Sequence, residues 1–169
     1  METVKQRIDL VRIGNRDYEV KKAFADVAAS SLLTPATAKK TTDNGANYTT
    51  YASGANVVLN SLDTLANGDW LVVGLDHEFR GLKVAIDAAN ANAATLAVHY
   101  WNGSAWTAVS NLSDGSASGG ATLAQAGNIT WDYPTNWAAS TIDGVTAYYV
   151  RLSVSAALDA DTQVDLTAI

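Results

Sequence analysis

Asp76, His77 and Glu78 stand consecutively and carry the side-chain types that hold a metal ion or move a proton, so they are the first chemistry this chain offers. In an extended segment neighbouring side chains point to opposite faces, which groups Asp76 with Glu78 and sends His77 the other way. The three converge only if the chain turns between them. His99, the second of two histidines, lies between Val98 and Tyr100 and fits a cross-strand packing role better than that of a general base. Asp159, Asp161 and Asp165 offer oxygen ligands for a hard cation, but the spacing lacks the Gly and the closing Glu of an EF-hand loop and reads as a solvated acidic turn. Residues 115–120 are glycine-rich without the Gly-Lys-Ser/Thr ending of a phosphate cradle, and Ala117 stands where a nucleophile elbow needs Ser. Asp114, Asp132 and Asp143 could pair as glycosidase acids, yet each sits beside turn-forming residues that account for it. With no cysteine there is no thiol nucleophile, disulfide or Cys-based zinc site. The expectation is a protein that is not an enzyme and holds no cofactor or metal.

Flat aromatic rings are the remaining chemistry. Trp70 and Trp101 lie in strongly apolar segments and read as core, whereas Trp106, Trp131 and Trp137 lie nearer turns and are candidates for stacking against a glycan. Trp101 and Trp106 flank Asn102-Gly103, a strong hairpin signal that predicts a type I′ turn.

The elements that must position these groups read as strands. Eight short segments recur: 57–62, 70–75, 82–86, 95–101, 106–109, 128–131, 145–154 and 163–169. Turn signals such as Asn67-Gly68-Asp69, Asp114-Gly115 and Asp143-Gly144 separate them and leave no room for helical crossovers. This predicts an all-β fold, an antiparallel β-sandwich, jelly-roll-like, of about eight strands over residues 56–169. Residues 87–94 can form a helical turn or a loop, and residues 113–127 read as a long surface loop or a short strand flanked by flexible turns. Residues 1–55 read as an N-terminal arm or hairpin, with Gly14-Asn15 as its turn, followed by an irregular linker over residues 34–53; the alternative is that the opening fifty residues are edge strands plus a loop of the same domain.

Charge separates the two regions. Residues 1–40 hold eight Lys/Arg against five Asp/Glu, while residues 41–169 hold three against twelve, within a net charge of −6. The basic excess is too small and lacks the aromatic interleaving of a nucleic-acid site, so a solvated or protein-docking segment is expected. The first thirty residues are too charged for a secretory signal and no run of about 18 apolar residues occurs, so neither export nor a membrane is expected.

The order of segments matters more than any one residue. Gly68 to Gly74, Phe79 to Leu82, Tyr100 to Trp106, Trp131 to Trp137 and Tyr148 to Leu152 together resemble a β-sandwich module of virion proteins from tailed bacteriophages. The resemblance covers about Val57 to Ile169 and implies a virion component made in the host cytoplasm. With neither the length nor the heptads of a fibre, the chain resembles a capsid decoration, or cement, protein. That implies the major capsid protein or another virion protein as partner, and a homo-oligomeric arrangement on the particle. In this reading Val4, Ile8, Leu10, Val11, Ile13, Tyr18, Val20 and Phe24 supply apolar anchors. Lys5, Arg7, Arg12, Arg16, Lys21 and Lys22 meet an acidic partner. The competing expectations are a carbohydrate-binding module of a tail tip or baseplate, using Trp106, Trp131 and Trp137, and a neck, collar or tail-completion protein.

Overall fold

Alternating apolar residues make strands, and here they make almost nothing else. The computed structural model describes residues 10–13, 16–19, 37–52, 56–60 and 62–169. In chain order the strands are β1 (Leu10–Ile13), β2 (Arg16–Glu19), β3 (Thr37–Thr41), β4 (Thr49–Tyr51), β5 (Val57–Val58), β6 (Trp70–Leu75) and β7 (Gly81–Ala88). They continue as β8 (Leu96–Trp101), β9 (Trp106–Ala108), β10 (Ser113–Asp114), β11 (Gly127–Thr130), β12 (Ala139–Ile142), β13 (Val145–Val154) and β14 (Gln163–Ala168). Among the described residues the only helical element is a 3-10 turn, Leu65–Asn67.

Two compact units divide the chain, residues 1–31 and residues 32–169. In the first, β1 and β2 pair antiparallel from Leu10 opposite Glu19 to Ile13 opposite Arg16, a hairpin as the sequence predicts. The second unit is all-β and sandwich-like. A five-stranded sheet runs β10-β11-β7-β14-β5, and a seven-stranded sheet runs β4-β3-β6-β13-β8-β9 with β12 joined to β13. Leu71, Val73, Val98, Val150 and Leu152 of the larger sheet share one core with Leu82, Val84, Ile129, Val164 and Leu166 of the smaller. Strands of two or three residues, β4, β9, β5 and β10, close the ends of both sheets, which leaves little free edge for uncontrolled pairing.

Each of the eight predicted segments overlaps a strand, and β6 and β13 have the predicted ends. The expected linker does not: β3 and β4 arise inside residues 34–53, so the second unit begins well before residue 56. Thr-Ala-Lys-Lys-Thr has one inward apolar residue, Ala38, and is a strand because β6 pairs with it from Gly74 to Trp70. Residues 113–127 are likewise better tied than a flexible loop. Asp114 accepts from the Ser116 amide and hydroxyl and from the Thr122 hydroxyl, and buried Asn90 bonds to Asn92, Thr122 and Asp159. The Asn-Gly turn also differs from expectation. Four residues, Asn102 to Ala105, link β8 to β9, and Asn102 Oδ1 accepts from Ser104 N, Ser104 Oγ and Ala105 N. Only Gly103 takes a positive φ there, 95°, so the turn is held by the asparagine side chain and is not type I′.

β6 is buried along its whole length, on both faces. Opposite Gly74 in β13 stands Tyr149, whose ring occupies the space a Cβ at Gly74 would need. Gly74→Ala should therefore cost about 1–3 kcal/mol of stability through overpacking. Urea unfolding checks this: the midpoint falls with the slope unchanged, and an unmoved midpoint would mean that the Tyr149 ring yields freely.

Candidate functional site

A β-strand sends alternate side chains to opposite faces, so while Leu71, Val73 and Leu75 enter the shared core, Trp70, Val72 and Gly74 face outward. The outward face is apolar as well. Trp70, Val72, Ala147 and Tyr149 are buried there, with Tyr48, Leu65, Trp106 and Ile142 packed against them. Two cations lie on this face. Lys39, opposite Val72, places Nζ 2.6 Å from Asp143 Oδ2 and 3.1 Å from the Asp143 carbonyl oxygen. Its side chain is 3% exposed while that of Asp143 is 50% exposed, so the pair has one end in the protein and one in water.

Arg151 is the second cation. Its guanidinium carbon lies 5.6 Å from the Trp70 ring centroid and 5.0 Å from that of Trp106, within cation–π range of both. Trp106 meets Trp101 edge to face, with centroids 5.7 Å apart. His99 stands opposite Arg151 in the β8–β13 ladder. Arg151 Nε and His99 Nδ1 are both buried without a hydrogen-bond partner among the described residues. Burial lowers the pKa of each, and the nearby Arg151 charge lowers that of His99 further, so the imidazole is neutral at neutral pH. Burial, and after it the charges of Asp143 and Tyr48, push Tyr149 up to about 12. Its hydroxyl donates to the Val145 carbonyl at 3.0 Å.

The candidate residues from the sequence divide. Val4, Lys5, Arg7, Ile8 and Phe24 lie outside the described residues; Leu10, Arg12 and Ile13 fall on β1, and Arg16 and Tyr18 on β2. With Lys39 and Lys40 in β3, the first unit keeps six Lys/Arg against five Asp/Glu, so its basic excess is smaller than the split at residue 40 implies. Trp131 and Trp137 are corrections: at 5% and 6% exposed, both are core residues and present no ring to a glycan. Phe79 packs against both, and Trp137 also meets Tyr100 and Tyr148 and donates to the Tyr149 carbonyl. Their nearness to turns misleads because those turns fold back over an aromatic cluster. Trp106 alone keeps partial exposure, beside Arg151.

Three of the candidate carboxylates hold loops, whereas Asp165 lies within β14. Asp132 accepts from Asn111, Asp159 caps the amide of Asp161, and Asp114 binds Ser116 and Thr122. Asp76 pairs with its neighbour His77 at the surface. Among the described residues no three His, Asp or Glu side chains gather as a metal would require, and no helix is long and apolar enough to cross a membrane. In comparisons with protein-family models, curated proteins and solved structures, nothing matches the chain.

Lys39 and Arg151 escaped the sequence reading, whereas His99 stands in a strand facing a cross-strand neighbour, as that reading expects. The available signal was scarcity: after residue 40 the chain has three cations, and one of them, Arg151, interrupts the long apolar strand β13. Two outcomes follow for this face. Asp143→Asn leaves a buried ammonium without its counter-charge and should cost about 2–4 kcal/mol, whereas Lys39→Met leaves only an exposed carboxylate and should cost about 1 kcal/mol or less. Equal losses in paired denaturation curves would contradict the asymmetry. Alkaline pH tests Tyr149: the unfolded tyrosine ionises near 10 and the folded one near 12, so stability is retained below pH 10 and falls as pH rises through that window. Tyr149→Phe should flatten the decline, as read by urea titration across the window; an unchanged slope would remove Tyr149 as its source.

Proposed function

We propose that this chain is a non-enzymatic structural protein of a tailed-bacteriophage virion, made in the host cytoplasm and acting as a capsid decoration or cement protein. The observation that carries the reading is the division of the chain: a β1–β2 hairpin in a small first unit and a separate two-sheet body with its own core. The first unit serves as the docking element for the major capsid protein or a sister subunit, and the body is the jelly-roll-like module that projects from the shell. The use of Asp114, Asp132 and Asp159 in fastening loops supports a structural role for the body.

Charge refines the attachment. Six cations against five acids give the first unit almost no net charge, so apolar residues such as Ile8, Leu10 and Ile13 carry most of the contact. Many weak contacts of this kind sum over a shell. A chain lacking residues 1–31 should keep the thermal transition of the body and lose binding to purified heads. The binding of the full chain should change little with added salt, since few counter-ions are released. Undiminished binding by the truncated chain would overturn the reading.

A further inference from the structure

The outer face of the seven-stranded sheet carries a feature that covering a sheet does not require. Residues 32–169 hold five cations among twelve acidic side chains, yet Arg151 pairs with none of those acids among the described residues. Lys39, on the same face, takes Asp143. A guanidinium over indole faces is half stripped of water, and its remaining in-plane donors match a planar oxyanion such as a carboxylate. Beside it the partly exposed rings of Trp101 and Trp106 form an apolar ledge. Ala97 and Ala108, on the same side of the sheet as His99, are too small to cover that ledge.

We propose that Arg151, Trp106 and Trp101 form a binding site for an acidic saccharide, a sugar whose ring carries a carboxylate. The carboxylate meets the guanidinium fork of Arg151, and the apolar C–H face of the pyranose lies against the indole ledge. Two features favour a saccharide over an acidic peptide: the ledge is held in place by the short β9 and its four-residue turn, and it offers two indole rings, set edge to face, where a peptide carboxylate needs only charge. The site is separate from particle attachment through the first unit, so either idea can fail alone. Because the body is strongly acidic, polyanions are repelled in general, and saturable binding of one reports a specific site.

The test titrates the full chain with a β-1,4-linked tetraglucuronate, an α-2,8-linked tetrasialate, cellotetraose and hexaglutamate, following tryptophan fluorescence and heat. Cellotetraose has the tetraglucuronate backbone without its carboxylates. At least one acidic sugar should bind saturably while cellotetraose and hexaglutamate do not. Arg151→Gln and Trp106→Leu should each weaken that binding by about tenfold or more, and Arg80→Gln, at the exposed Tyr133, should leave it unchanged. Should Arg151→Gln fail to fold, Arg151→Lys keeps the cation but not the fork and should show the same loss. Failure of both acidic sugars to bind, equal binding of cellotetraose, binding of hexaglutamate in their place, or binding that survives these substitutions would each overturn the proposal.

Discussion

Burying β6 on both faces is the constraint from which much of the second unit follows. Its inner side chains have the five-stranded sheet to pack against, but its outer ones, Trp70 and Val72, must be covered by side chains laid across the same sheet. Tyr149 lies over Gly74, which is why that position has no side chain. Long cations do what an aliphatic residue cannot, because an apolar stem covers carbon while the charged head reaches a polar partner or an aromatic face. Lys39 does the first through Asp143 and Arg151 the second through Trp70 and Trp106. The stems of both cations and the indole contacts of Arg151 thus follow from how the outer face is covered, whereas the in-plane donors of Arg151, which meet no acid among the described residues, do not.

The same constraint explains which elements were legible in the sequence. Trp-Leu-Val-Val-Gly-Leu and the ten residues of β13 are apolar enough to announce themselves, and the structure keeps both with their predicted ends. β3, β10 and β12 are polar or very short, and their extended state is imposed by the neighbours that pair with them. No local pattern reveals that kind of strand. The site shows a related limit. Trp131 and Trp137 stand near turns in sequence but beneath an aromatic cluster in space, while Arg151 acquires its setting from Trp70, eighty-one positions earlier, and Trp106.

Loop chemistry gives the body its second characteristic. Asn90, Asn102, Asp114 and Asp159 each hold backbone amides of their own or a neighbouring turn, which fixes polar connections in a chain that has no disulfide. A body fastened in this way suits a part that is exposed and repeated on a surface, and a small hairpin-bearing unit suits attachment. Together they form the basis of the proposed decoration role.

Copy number in purified particles tests that role most directly. Quantitative mass spectrometry of whole virions, with the major capsid protein as internal reference, should find the chain in fixed proportion to the capsid subunits. Its absence from the particle, or its presence only at the count of a single ring, would contradict the account.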